Sequence, residues 1–409
     1  MAEALPTAQL AIEGGAPVRR DPMPPRFAIG EAEEAKIAEV IAYYRAEGVD
    51  PGYQGDYEER YCQAFAEMHG GGYADAVATG TVSLYVALGA LGLPAGSDVL
   101  VSPITDPGSI SAIILNGLKP KLVDSAPGRF GITAETVGER IGPDTSAIMA
   151  VHAAGTALAI DEIVEVCHAR GVKVLEDCSQ AHGARWKGQP IGTFGDIAAF
   201  STMYRKASIA GPSGGVVYSR ERELYRRALA LADRGKPRWM EGFDDRDPAQ
   251  FLMPALNLHT DEISCAIGLA SLARLEETRA RRYAYLKGVT DGLEEAGGPT
   301  QGYGITADDS PFYYPVHVDG ARIGTSVEEF ARAVMAEGIG LNPHYKYLVE
   351  DWPWGHAYLA DGFACRNARE ARDSHFCLYV NENYGEREVT DTLVAIAKVV
   401  EAFEGRARR

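Results

Sequence analysis

The sequence predicts an α/β protein, with a three-layer α/β/α large domain around a mostly parallel sheet and a smaller C-terminal α+β domain. Three observations predict it. From about residue 75 to 220, short β-rich runs alternate with helical stretches, and that alternation builds a parallel sheet covered by helices on both faces. The candidate strands are nearly all apolar, as strands buried on both sides must be. At 409 residues and 46% hydrophobic, the chain can bury a large core and divide into two or three domains.

Residues 1–30, rich in Pro, Gly and Arg, read as an extended N-terminal arm. The large domain is expected over 31–260, with helical patterning first at 31–46 and 57–68. Its candidate strands are VLVSP (99–103), PKLVD (120–124), AIMAVH (147–152), VKVLED (172–177), IAAFS (197–201) and GGVVYS (214–219). Between them TVSLYVALGAL (81–91), AETVGERI (134–141) and AIDEIVEVCHARG (159–171) read as helices, the last stopped by Gly171 just past its end. From 261 onward Ile263, Ile267, Ala270 and Leu275 recur at helical spacing, which predicts one long connecting helix and a linker to 310. The small domain, 311–409, offers a strand at YYPVHV, a helix at SVEEFARAVMAEG, a strand at HFCLYV and a closing helix at EREVTDTLVAIAKVVEAF.

Composition narrows the function. Forty basic against 57 acidic residues leave a net charge of −17, which argues against nucleic acid or an anionic membrane surface as partner. The short basic clusters (Arg19-Arg20, Arg279 to Arg282, Arg406 to Arg409) read as solvated faces and a chain end. No apolar run approaches the roughly 18 residues of a membrane helix, and MAEALPTAQLAIEGG lacks the basic and apolar regions of a secretory signal. The six cysteines (62, 167, 178, 265, 365, 377) are scattered without a C-x-x-C pair, so reduced thiols and a cytoplasmic location are expected. The nine histidines form no cluster with metal-ligand spacing, so no metal is expected.

Sheets of this class bind ligands beyond the carboxyl ends of their strands. Polar residues gather there: Ser102, Thr105, Asp177 to Gln180, and Ser201. The stretch FSTMYRKASIAGPSGG (200–215) adds Lys206 and a G-x-S-x-G match at Ser213. A serine elbow needs a helix after the serine; VVYS, a strand, follows, so Ser213 reads as a turn residue. Lys206 sits among small residues, and a lysine buried there becomes nucleophilic towards aldehydes. In LEDCSQAHGA (175–184), Glu176 or Asp177 could simply cap the next segment. A carboxylate near such a lysine is also the partner that a pyridoxal phosphate ring nitrogen requires. ATGTVSLYVAL (78–88) places Gly80 and Thr81 at a helix start, where free amides and the dipole favour a phosphate, although capping explains T-G-T equally well.

On these residues the chain resembles the DegT/StrS family of pyridoxal phosphate (PLP)-dependent sugar aminotransferases, a branch of the type I aspartate-aminotransferase fold. ATGTVSLYVAL is similar to the family's [NS]-G-T-x-A-L turn, and LEDCSQAHGARWKGQPIGTFGDIAAFS to its E-D-x-x-Q-A-H-G segment. The lysine of FSTMYRK lies five residues after the serine, the family's interval, and Gly214-Gly215 follow at the family's distance. The resemblance implies that Lys206 holds PLP covalently and Asp177 pairs with its ring nitrogen. It implies that Gln180 bonds the phenolic oxygen and that Gly80, Thr81 and Ser201 hold the phosphate. Asn257, in LNLHTDEISCAIG, would reach the phosphate of a neighbouring subunit, which implies a homodimer with shared sites. His182 and His344 are the expected substrate contacts. The implied activity moves an amino group from glutamate or glutamine to a keto group on a sugar, expected to be nucleotide-linked, with Arg26, Arg234, Arg238 and Lys346 as the candidates to meet its diphosphate, each of which reads equally as a surface charge. A cyclitol ketone as acceptor and a PLP-dependent sugar dehydration are the alternatives on the same fold. A non-catalytic relative would be expected to lose Lys206 or Asp177. The sequence departs from the family pattern at Asp106, where an aromatic residue usually stacks on the ring. It departs again at His259, which replaces an arginine, and at Pro212-Ser213 before the glycine pair.

Overall fold

A computed structural model of the protein describes residues 9–407. The chain runs through α1 (Glu31–Glu47), α2 (Asp56–Met68), β1 (Tyr73–Val77), α3 (Gly80–Leu91), β2 (Asp98–Val101), α4 (Pro107–Leu115), β3 (Lys119–Leu122), α5 (Ala134–Arg140) and β4 (Thr145–Val151). It continues through α6 (Ile160–His168), β5 (Lys173–Asp177), a short hairpin of β6 (Arg185–Trp186) and β7 (Gln189–Pro190), β8 (Ile197–Ser201), β9 (Gly215–Ser219) and α7 (Arg222–Ala232). Seven of these strands form one sheet in the order β1-β9-β8-β5-β4-β2-β3. Pairing is parallel from β8 through β3, while β9 runs antiparallel to both neighbours.

The apolar strands fill both sides of this sheet, as their composition requires. Val99, Val101, Met149 and Leu175 pack with Leu84 and Leu88 of α3 on one face. Leu100, Ile148 and Val174 pack with Val137 of α5 and Ile163 of α6 on the other. Period-two geometry thus divides each strand between two helical layers.

After α8 (Glu262–Ala273) and α9 (Leu275–Ala296) comes a four-stranded antiparallel sheet, β10 (Thr300–Gly302), β11 (Tyr313–Val318), β12 (Leu341–Asn342) and β13 (His375–Tyr379), in the order β10-β11-β13-β12. Helices α10 (Gly320–Ile323), α11 (Val327–Ala336), α12 (Arg366–Asp373) and α13 (Glu386–Ala407) accompany it. The single helix expected from 261 is two helices. Arg274 leaves helical geometry at φ −105°, ψ 6°, and its guanidinium is held by Glu33 and the Ala28 carbonyl. With no proline or glycine at the break, only this long-range contact marks it.

The part of the expected arm within the described residues is tied down. Glu337 accepts from Ala11 N and Val18 N at 2.8 and 3.0 Å, and Arg19 pairs with Glu388 and Asp391 at 2.9 and 2.7 Å. Residues 1–8 of the arm, and the last two of Arg406 to Arg409, lie outside the described residues. No helix among the described residues is long and apolar enough to cross a membrane.

Candidate active site

A cavity of about 220 Å³ opens at the carboxyl edge of the large sheet. Asp177 is the last residue of β5, Ser201 the last of β8, and Gly80 the first of α3. Gly80, Thr81, Asp177, Gln180, Ser201 and Lys206 all line this cavity. A larger one, about 780 Å³, lies beside edge strand β1, lined by Glu58, Asp75 and Tyr225 but by no lysine.

Lys206 is 9% exposed, and no hydrogen bond to its Nζ exists among the described residues. Burial pushes its pKa down to about 8, against opposing pulls from Asp177 and Asp106. The ring of Phe312 lies 4.1 Å from Nζ. Asp177, 4% exposed, is oriented by Ser179 N at 3.1 Å and Ser109 Oγ at 3.2 Å. Burial raises its pKa even so, so its carboxylate lacks a full counter-charge and suits a cationic ring nitrogen. Gln180 Oε1 accepts from Ala154 N at 2.9 Å, which leaves its Nε2 as a donor for the cavity.

The anion cradle follows from local sequence. Thr79 caps α3 by accepting from Val82 N at 3.0 Å, so the amides of Gly80 and Thr81 have no intrahelical partner. The hydroxyls of Thr81 and Ser201 make no hydrogen bond among the described residues. A Cβ on Gly80 would lie 2.3 Å from Ser201 Cβ, so only glycine lets the turn approach β8 this closely. Gly215 has a similar reason: its Cβ would lie 2.4 Å from the Thr79 carbonyl oxygen.

Other expected residues fall elsewhere. Glu176, left open beside Asp177, is fully buried on the other side of β5 and accepts from Gly192 N, Phe194 N and Gly195 N at 2.7 to 2.8 Å. The glycines of GTFG have backbone reasons: Gly192 sits at φ +84°, and a Cβ on Gly195 would lie 2.7 Å from the Val174 carbonyl oxygen. His182, expected at the substrate, does not line the cavity. Its Nε2 donates to the Ser201 carbonyl at 2.7 Å, burial pushes its pKa down to about 3, and it braces the end of β8. His344 also stands away from the cavity, 3.6 Å from Asp373 and 4.0 Å from Glu328. Asn257 is exposed and outside the cavity of its own chain. Of the basic candidates, Arg26 pairs with Glu382 at 2.9 Å, Arg234 with Asp233 at 2.9 Å and Arg238 with Asp233 at 3.7 Å; Lys346 is exposed.

Ser109 carried no signal in the sequence, and the other hydroxyl residues of the lining take supporting roles. Ser109 and Ser179 act through Asp177, and Thr105 Oγ1 bonds Ser109 Oγ at 2.7 Å. Ser213, read as a turn residue, lines the cavity and ties its loop to the Ala78 carbonyl at 2.9 Å. Asp106 caps α4 through Gly108 N at 2.8 Å, so its side chain serves a helix end where an aromatic ring was expected. An aldehyde-reactive amine, a carboxylate for a cationic nitrogen, an amide donor and an anion cradle thus share one cavity. That donor set fits a phosphorylated pyridine aldehyde.

Comparison with known proteins agrees. A model of the DegT/DnrJ/EryC1/StrS aminotransferase family matches residues 32–397. The L-glutamine:2-deoxy-scyllo-inosose aminotransferase of Micromonospora echinospora is 30% identical over 345 residues, 83% of this chain and 82% of that protein. The GDP-perosamine synthase of Escherichia coli O157:H7 is 34% identical over 229 residues, 56% of this chain and 61% of that protein. The X-ray structure of an aminotransferase from Psychrobacter cryohalolentis superposes with a TM-score of 0.85 at 24% identity, covering 95% of this chain and all of that one, so the fold is shared.

Proposed function

The chain belongs to the DegT/DnrJ/EryC1/StrS aminotransferase family, and on that premise we propose that it moves the α-amino group of glutamine or glutamate to a ketone on a sugar or cyclitol ring. It is an aminotransferase and pyridoxal 5′-phosphate is its cofactor. The observation that carries the reading is the single cavity joining Lys206, Asp177 and the Gly80-Thr81 turn.

When bound, the cofactor supplies an aldehyde carbon and a ring that takes up the electron pair released at the donor's Cα. The amides of Gly80 and Thr81 and the hydroxyls of Thr81 and Ser201 would hold its phosphate. Asp177 would keep its ring nitrogen protonated, and Gln180 Nε2 would donate to its phenolic oxygen. Burial lowers the pKa of Lys206 Nζ to about 8, so far more of it is the neutral, proton-accepting amine near pH 8 than in a free lysine. This amine takes the proton from the donor's Cα, and in the second half of the cycle it returns one to the former ketone carbon. Asn257 serves the neighbouring subunit of a homodimer, a role supported by its exposure outside its own cavity.

Both acceptor classes fit the basic groups of the chain. Arg26 and Arg234 each stand 2.9 Å from a carboxylate of the same chain, whereas Arg238 shares Asp233 at 3.7 Å and Lys346 is exposed. The test is transfer of ¹⁵N from α-¹⁵N-glutamine to each acceptor class, read by mass spectrometry. Labelled aminocyclitol or amino sugar is the expected product. A protein that releases the donor's keto acid yet labels no ring ketone would overturn the acceptor assignment.

A further inference from the structure

We propose that Glu382 is a positioning residue for Lys206, acting through Arg26 and Arg282. This rests on the reading of Lys206 as the reacting lysine. Glu382 lies in the turn after β13, outside the cavity lining. Three arginines converge on it: Arg26 through Nε at 2.9 Å, Arg282 through Nε at 3.1 Å and Nη2 at 2.9 Å, and, more loosely, Arg274 Nη1 at 3.9 Å; the first two hydrogen-bond it.

The other nitrogens of both arginines reach the surroundings of Lys206. Arg26 Nη1 donates to the Tyr204 carbonyl at 2.7 Å and Nη2 to the Ala207 carbonyl at 3.3 Å, so they hold the backbone on either side of the lysine. Arg282 Nη1 donates to the Pro311 carbonyl at 3.1 Å. The next residue, Phe312, places its ring 4.1 Å from Lys206 Nζ. One carboxylate therefore anchors both the lysine loop and the aromatic ring over its amine.

This anchorage matters because Lys206 has little of its own. Its side chain makes no hydrogen bond among the described residues, and its loop has one local bond at that residue, Lys206 N to the Met203 carbonyl at 2.9 Å. Arg282 is 1% exposed, so without Glu382 its charge would be buried and unpaired, and both contacts would loosen together. Small errors in the placement of a reacting group cost rate more than they cost binding.

Hydrogen exchange and steady-state kinetics on the full-length protein test this, using Glu382→Gln and Arg26→Gln. Amides at 202–208 should exchange about tenfold faster in both variants, and those around 312 only in Glu382→Gln. In the PLP-loaded enzyme kcat should fall about tenfold or more, with the donor KM within about twofold. Should Glu382→Gln not fold, Arg26→Gln, which leaves the Arg282–Glu382 pair intact, decides alone. Unchanged exchange at 202–208, or an unchanged kcat, overturns the proposal. Exchange needs no turnover, so failure of the positioning role is distinguishable from failure of the Lys206 assignment, which Lys206→Ala tests separately.

Discussion

Replacing Lys206 with methionine should stabilise the cofactor-free protein at neutral pH. Burial lowers the Lys206 pKa from 10.5 to about 8, and only the coulombic pulls of Asp177 and Asp106 oppose it. The unfolded chain keeps its proton up to about pH 10.5, whereas the folded chain keeps it only to about pH 8. Between those values the unfolded state binds more protons, so the stability of the lysine protein rises with pH. The full rise is about 3 kcal/mol, and below pH 8 the whole destabilisation is present. Methionine has similar reach and no charge, so its protein lacks this pH dependence. Urea denaturation should therefore find the advantage of Lys206→Met over the lysine protein about 2–3 kcal/mol larger at pH 7.5 than at pH 10.5. With PLP in excess the order should reverse, because only the lysine protein gains the full binding free energy. A stability difference that is flat from pH 7.5 to 10.5 would refute the burial of a titrating amine at this position.

Three further outcomes follow from the site. Asp177→Asn should keep the fold but slow the half-reaction with L-glutamine by about ten- to a hundredfold, the worth of one charge-assisted bond, as measured by single-turnover absorbance. Gly80→Ala places a Cβ where Ser201 Cβ stands 2.3 Å away; the resulting overpacking should cost about 1–3 kcal/mol and weaken PLP binding, as equilibrium dialysis would report. If Asn257 serves the neighbouring site, Lys206→Ala and Asn257→Ala are each impaired alone, and co-expressed they should yield mixed dimers that regain activity through one intact site. No regain on mixing would refute sharing.

Much of the architecture was legible in the sequence because parallel strands buried on both faces are unbroken apolar runs. The strand IAAFS spans 197–201 as expected, and Gly80 opens α3 within a residue of its expected start. Helix α4 went unread because D-P-G-S carries turn chemistry, yet here Asp106 is the cap and Pro107 the first helical residue. Strand β1 went unread because Asp75 interrupts it; that carboxylate is buried beside a cavity no sequence pattern announces. At the site, Lys206 and Asp177 stood out because a charge is costly among small or apolar neighbours. Ser109 did not, since hydroxyl residues are common in every loop, and Ser213, read as a turn residue, gave no sign that it lines the cavity. His182 stands apart from the cavity for a geometric reason: it follows Asp177 in a polar segment, but the turn aims it back at the Ser201 carbonyl. The Arg26–Glu382 bridge spans 356 positions and has no local signature at all.

The most direct test of the central claim is where the cofactor attaches. PLP-loaded protein reduced with borohydride, digested and mapped by mass spectrometry should carry a single pyridoxyl group, on Lys206, and Lys206→Ala should carry none. A pyridoxyl group on another lysine of the unaltered protein, or undiminished labelling of Lys206→Ala, would contradict it.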